Sequence, residues 1–531
     1  MQTRLISLMI VILSMSHGVG LAEMMIFEDC SDKWNLAPLL QGIMAHAAAC
    51  GDIDGDGDLD LYIGNFCDRP PEKYLGRSGP TPNMLLIKQN GQFKNTYQSQ
   101  VEFQARTSGA VFVDLDNDGD LDLYVSNNSK TKGLRMANKL FENRNGQFQE
   151  VPEKSDACVI MGGRSVGVLD YNGDGLLDLL VAEDSWTGER SRLLRNAGGF
   201  RFEDVSAKVG LPIDLPGLGV ITPDLNEDGW PDIFISQINR LFLSKGDTTY
   251  KPADSRVFQY EPINNEATPC GVAFGDLNLD GHMDIVIVDH SQPARQHLYL
   301  NLGLQNGIPQ FKECTVQAGL DYLFPSWTPE KVHLKHAHVE IADFDNDGWP
   351  DIFVAATYRD GNRTLPFICR NITYQRANGK KTKTIIPLFA VPPVEKADAY
   401  FSAGPVADYD RDGRLDIFLA SWFPQIPSKL FLNRNLSNHW LRVKVVGKTF
   451  NRMGIGTKVK IYDADGLGEP DKLIGYQQIG TGYGFCSGQE AVASFGLGER
   501  TVCDVEVVLP YGKGVLKKTK IKADQLFIVK E

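Results

Sequence analysis

Asp52-Ile53-Asp54-Gly55-Asp56-Gly57-Asp58-Leu59-Asp60 decides the fold, because its pattern occurs seven times along the chain. Oxygen-bearing side chains stand at positions one, three, five and nine, with glycine at position six. Alternate oxygens in a tightly wound segment converge on one point, and glycine permits the positive-φ turn that brings the ninth residue back to it. Six to eight hard oxygen ligands suit calcium, whereas zinc would ask for histidine or cysteine, which the stretch lacks. The spacing is shorter than an EF-hand, whose last ligand falls at position twelve. A strand rather than a helix is expected after each loop.

The expected ligands of the first motif are Asp52, Asp54, Asp56 and Asp60. The same grammar selects Asp114, Asp116, Asp118 and Asp122, then Asp170, Asn172, Asp174 and Asp178, then Asp224, Asn226, Asp228 and Asp232. It continues with Asp276, Asn278, Asp280 and Asp284, then Asp343, Asp345, Asp347 and Asp351, and finally Asp408, Asp410, Asp412 and Asp416. Only position three varies, between Asp and Asn, and both supply an oxygen. A single acidic loop would read equally well as a solvated turn. Seven with the same glycine read as metal loops, and Ca2+ at up to seven sites is the expected cofactor.

Short apolar strands surround each motif. One precedes the loop, as in Gly109-Ala110-Val111-Phe112-Val113, and one follows it, as in Leu121-Asp122-Leu123-Tyr124-Val125. A third reads Lys139-Leu140-Phe141-Glu142-Asn143 and a fourth Gly146-Gln147-Phe148-Gln149-Glu150-Val151. Four strands per unit, at motif spacings between 52 and 67 residues, predict the blades of a propeller rather than the shorter repeats of a β-solenoid. The seventh unit lacks a fourth strand, and Met25 to Cys30 supplies one at the other end of the chain. Its Phe27-Glu28-Asp29 matches Phe202-Glu203-Asp204 of a later unit, so the N-terminal segment is expected to complete the last blade.

These loops resemble the FG-GAP (VCBS-type) repeats of integrin-α-like propellers. The resemblance implies calcium at each loop, with the position-seven carbonyl (Asp58, Asp120, Leu176, Trp230, His282, Trp349 and Arg414) as a further ligand. From about Asn438 the grammar changes to HWLRVKVVG, NRMGIGTKVKIY and IGTGYGFCSGQEAVASFGLG, alternating runs around glycine turns. These phrases are similar to the ASPIC/UnbV domain. The expected fold is all-β, a seven-bladed propeller over 23–437 followed by a small β-sandwich-like domain over 438–531.

Residues 1–22 read as a secretory signal. Arg4 is the sole charge, Leu5 to Met15 is too short to span a bilayer, and Gly20-Leu21-Ala22 offers a cleavage site. The chain is therefore expected to be exported, to the cell exterior, the periplasm or the cell surface, with no membrane span. Its net charge of −13 is of the size that seven divalent cations would offset, so the acidity points to metal rather than to a basic partner. Nucleic acid has no support as a partner. The nine cysteines form no CxxC pair, and Cys486 with Cys503 is the best local pairing. Asn127, Asn362, Asn371 and Asn435 fit the glycosylation pattern at about its chance frequency.

Catalytic signals are few. Gly163-Arg164-Ser165-Val166-Gly167 fits a nucleophile elbow but falls in a first strand, without the strand–turn–helix context. His333, His336 and His338 precede the sixth motif, where packing or channel lining is the better reading than a transition-metal site. Lys517 to Lys522 reads as a solvated strand face. The expected function is a calcium-binding adhesion or interaction protein without catalytic residues, holding an extracellular protein or glycan. The alternative is a secreted enzyme acting on a polymer in the central funnel. Binding is expected on the face opposite the motif loops. Two long connections, Asn65 to Pro82 and Tyr358 to Ile385, emerge there; Arg106, Arg164 and His336 precede first strands and read individually as ordinary exposed residues, with lining of the channel mouth as the alternative.

Overall fold

The computed structural model describes residues 25–75, 77–128, 136–151, 155–184, 190–260, 268–290, 294–324, 335–373, 386–436 and 438–531. The expected leader and His333 lie outside these residues. The chain is all-β, and each motif lies between the first and second strands of an antiparallel meander. In the sheet of the second motif the order is Thr107–Val113, Asp122–Asn127, Lys139–Arg144 and Gln147–Glu150.

First strands are rich in small residues because the neighbouring backbone lies against them. A Cβ on Gly109 would stand 2.1 Å from the Arg164 carbonyl oxygen of the next sheet, and one on Gly271 would stand 2.6 Å from that of Ala337. Second strands begin at position nine of the motif or one residue later, and Asp122–Asn127 and Asp284–Asp289 are wholly buried. Apolar runs buried on both faces are what packing sheet against sheet requires.

A recurrent bond joins adjacent sheets. An asparagine at the end of a third strand donates its Nδ2 to the position-two carbonyl of the preceding motif. Asn143 reaches Ile53 at 2.8 Å, Asn196 reaches Leu115 at 2.8 Å, Asn371 reaches Leu277 at 2.9 Å and Asn433 reaches Phe344 at 2.6 Å. The sheet of the seventh motif takes its outer strand from the N-terminal segment, with Phe27 paired to Asn433 and Asp29 to Phe431. Phe27 was expected in that place.

The sixth unit departs from expectation. The stretch from Tyr358 to Asn371 is not a loop, because Asp351–Asp360 and Arg363–Asn371 pair as one hairpin out to Asp360 opposite Arg363. The Gly361-Asn362 turn, with Gly361 at φ +60, suits a two-residue hairpin, and the flanking Thr, Tyr, Leu and Ile favour strand. Residues 374–385 lie outside the described residues. Asn65 to Pro82 does form a connection, with one short 3-10 turn at Pro71–Lys73.

The tail builds two sheets. One holds Ala493–Gly498, His439–Val446 and Gln525–Lys530; the other holds Leu473–Gln478, Lys458–Asp463, Val502–Val508 and Val515–Lys522. The lysines of the last strand face solvent, as expected. Cys486 and Cys503 do not pair, and both are free thiols. Cys503 sits in a tail strand, whereas Cys486 lies in a segment that leaves the tail sheets and packs against first strands of the motif-bearing sheets.

That segment, residues 479–489, touches several sheets at once. Ser487 and Gly488 run parallel to Ala48 and Ala49, and the Cys486 N–H donates to Ser165 Oγ at 3.0 Å. The Phe485 N–H donates to His338 Nδ1 at 3.1 Å, and Ser487 Oγ accepts from the Gly404 N–H at 3.0 Å. The tail segment is therefore lodged among the first strands of several motif-bearing sheets. The glycines of GTGYG make this entry possible, since a Cβ on Gly482 would stand 2.3 Å from the Val166 carbonyl.

Candidate metal centres

All seven loops share one backbone form. Glycine at position six has φ between +85 and +105 in every motif. Position four is also left-handed everywhere, at Gly55, Asn117, Gly173, Glu227, Leu279, Asn346 and Arg411. Its residue type varies too much for the sequence to have shown this. The position-seven N–H donates to Oδ1 of the position-five aspartate in all seven loops, at 2.7–3.0 Å.

The ninth aspartate clamps the loop to its sheet. Its Oδ2 accepts from the position-two N–H at 2.8–3.2 Å in every motif. Its Oδ1 accepts from a third-strand N–H, of Lys88, Asn143, Asn196, Ser244, Asn301, Asn371 or Asn433, at 2.7–2.9 Å. The sequence marked this residue as a ligand; the fold gives it a second, structural duty.

Carboxylates converge best where position three is aspartate. Asp52, Asp54 and Asp60 bring ligand atoms within 4.8 Å of one another, as do Asp114, Asp116 and Asp118, Asp343, Asp345 and Asp347, and Asp408, Asp410 and Asp416. Among the described residues the three asparagine-bearing motifs form no such trio of acids. There the asparagine amide turns inward instead, donating to the position-five carboxylate of Asp174 at 2.8 Å, Asp228 at 3.1 Å and Asp280 at 2.9 Å.

Packing these acids together carries an electrostatic strain. Burial, then the charges of Asp118 and Asp116, push the Asp114 carboxyl up to about 7. Burial raises Asp60 and Asp122 to about 8, and burial with the charge of Asp280 raises Asp276 to about 7. A divalent cation would relieve this strain and hold the carboxylates ionised. The donor geometry fits one. Asp52 Oδ1, Asp114 Oδ1 and Asp410 Oδ1 are buried polar atoms without a hydrogen-bond partner. Asp52 and Asp114 line one cleft of about 250 Å³ between the first two loops and the tail.

The tail rests on these loops. The Arg452 N–H donates to Asn117 Oδ1 at 2.9 Å, Tyr511 Oη to the Asp170 carbonyl at 2.7 Å, and Asn438 Nδ2 to that of Asp345 at 2.8 Å. Arg442 Nη1 lies 3.0 Å from Asp408 Oδ2, and Lys458 Nζ lies 2.6 Å from Asp224 Oδ2. No sequence signal pairs these residues, which lie between 34 and 341 positions apart along the chain.

The other expected residues are accounted for structurally. His338 Nε2 lies 3.1 Å from Glu340 Oε2, and the buried His336 packs edge-on to Phe324 with ring centroids 4.4 Å apart. Ser165 lies mid-strand and binds the tail segment. Arg106 and Arg164 are held by Asp68 and Asp184, each at 2.6 Å. Asn127 and Asn371 are buried, which removes them as glycan acceptors in the folded chain.

Comparison with known proteins gives the lineage. The FG-GAP-like repeat family matches residues 52–125, 170–235, 224–287 and 343–419. This chain belongs to the FG-GAP-like repeat family. Residues 447–531 match the ASPIC and UnbV family. Cartilage acidic protein 1 of Homo sapiens is 27% identical over 497 residues, covering 88% of this FG-GAP chain and 69% of the relative. A T-cell immunomodulatory protein homolog of Plasmodium yoelii yoelii is 26% identical over 318 residues, 56% of this chain and 38% of the relative. The crystal structure of the V. cholerae biofilm matrix protein Bap1 covers 91% of this chain and 68% of that one, at 12% identity and TM-score 0.32. A likeness that slight carries no functional argument.

Proposed function

We propose that this FG-GAP chain is an exported calcium-binding interaction protein, not an enzyme. Its motif-bearing sheets are the blades of a closed seven-bladed propeller over 23–437, capped by the domain of 438–531. The expected aspartates and asparagines of the seven motifs are its candidate calcium ligands, and an extracellular protein or glycan docks on the face opposite the motif loops. The single observation that carries this reading is the seat of the tail. Because the tail covers the motif loops and fills the centre, the connections left for a partner are those between second and third strands. A filled centre also weighs against a catalytic funnel. Among the described residues no helix is long and apolar enough to cross a membrane.

On the opposite face, Phe66 and Trp422 follow second strands and pack edge-on at 4.6 Å, with the Arg69 guanidinium 5.6 Å from the Trp422 ring. Phe66 is fully buried, so the half-buried Trp422 ring and the Arg69 guanidinium beside it are what a sugar ring or a peptide side chain would meet. A glycan array and an exported-protein pull-down, each with and without calcium, test the reading. Shortening the connection from Asn65 to Pro82 is expected to abolish capture and leave the calcium-dependent melting curve unchanged. Full capture by that variant would move the binding surface elsewhere.

A further inference from the structure

The tail does more than cover the motif loops. Lys458 begins the strand Lys458–Asp463 and pairs across the sheet with Gln478. Both side chains descend on the fourth motif. Gln478 Oε1 accepts from the Asp224 N–H at 2.9 Å, and its Nε2 donates to the Thr222 carbonyl at 3.2 Å. Lys458 Nζ lies 2.6 Å from Asp224 Oδ2, with side chains only 11% and 3% exposed.

The carboxylates of this loop are engaged throughout. Asp224 Oδ2 also accepts from the Gly229 N–H at 2.8 Å, and its Oδ1 from the Asp228 N–H at 3.0 Å. Asp228 accepts from the Trp230 N–H and from Asn226 Nδ2. Asp232 accepts from Ser244 through Oδ1, and from Leu225 and Asn226 through Oδ2. The seventh motif makes the contrast. Arg442 reaches Asp408 there, yet Asp410 Oδ1 stays buried without a partner and three acids still converge.

From this arrangement we infer that the fourth motif takes no divalent cation: the Lys458 ammonium is its resident charge, and the loop serves as the socket that latches the tail to the propeller. An ammonium is a compact charge with three donors, so it can stand against Asp224 where a metal would otherwise stand. A calcium ion added beside it would face a fixed positive charge in a site of low polarity. The buried Lys458–Asp224 pair in turn gives the tail a fixed register on the ring.

The inference rests on the proposed calcium reading of the other loops. It is tested with Tb3+ as the probe, by anomalous scattering from soaked crystals of the full chain and of Lys458→Met. The expected result is terbium at the first and second motifs of both proteins, and at the fourth motif of Lys458→Met alone, one additional ion per chain. Terbium at the fourth motif of the native protein would overturn the inference, whether or not the variant folds, and would leave the calcium reading standing. A folded Lys458→Met that binds at the first two motifs and not at the fourth would equally overturn the role of Lys458. Terbium at none of the motifs would remove the calcium reading and this inference together.

Discussion

Lys88 Nζ donates to the Tyr409 carbonyl at 2.5 Å, tying the third strand of the first motif's sheet to position two of the seventh motif. At the corresponding place Asn143, Asn196, Asn371 and Asn433 make the same bond to the preceding sheet with a short amide. Lysine substitutes a longer arm at the junction between the sheets of the first and seventh motifs. Its ammonium also lies 4.4 Å from the Trp34 ring and 3.2 Å from Asp58 Oδ1.

Lys88→Ala is therefore expected to destabilise the chain by about 2 kcal/mol, the scale of a buried hydrogen bond to a charged group. Urea unfolding measures it. Asn143→Ala should cost a similar amount at an internal junction, and a neutral Lys88→Ala would show that the junction does not depend on this bond.

Chelation should lower the melting temperature. A ligand present at a hundredfold excess over its Kd adds about 2.7 kcal/mol per site, and several sites titrate together. Asp114→Ala, which removes the unpartnered oxygen at the second motif, should lower calcium stoichiometry by one. Equal melting in excess calcium and in excess chelator would refute a stabilising cation.

The pH dependence of the metal-free chain follows from the raised carboxyls. Asp60 and Asp122 are lifted by burial to about 8 and Asp114 to about 7, against an unfolded value near 3.8. Between these limits the folded chain holds protons that the unfolded chain releases, so the contribution is full below the unfolded value and is lost as pH rises through 7 to 8. Chelated protein should melt at a higher temperature at pH 5 than at pH 8.5. With saturating calcium the order should invert, because the cation competes with those protons. Differential scanning calorimetry at both pH values, with and without chelator, decides it.

The motif loops were legible because every determinant is local: oxygens at fixed spacing, glycine at a left-handed position and apolar strands on both sides. Phe27 was placed by its match to Phe202-Glu203-Asp204. The hairpin ending at Arg370-Asn371 was missed, although its terminal asparagine is the feature shared with Asn143, Asn196 and Asn433. The seat of the tail left no local trace. Lys458 meets Asp224 and Cys486 meets Ser165 through tertiary packing alone, with no local pattern to pair them.

The tail segment lodged among the first strands should be held by its glycines. Gly482 and Gly484 sit at φ +65 and +79, and a Cβ on Gly484 would stand 2.5 Å from His338 Cε1. Left-handed strain alone costs on the order of 1–3 kcal/mol, and the clash adds to it. Gly482→Ala/Gly484→Ala should therefore displace residues 479–489 while the motif-bearing sheets remain folded. Cys486 reports this directly, because burial pushes its thiol far above the ordinary range and the native chain shields it. Alkylation at pH 8, located by peptide mass, should be slow in the native protein and rise at least tenfold in the double variant. Cys270, buried in a first strand, should stay protected in both. If Cys486 is alkylated at the native rate in the double variant, the segment stays seated despite the strain, and its seat against the first strands owes nothing to these glycines.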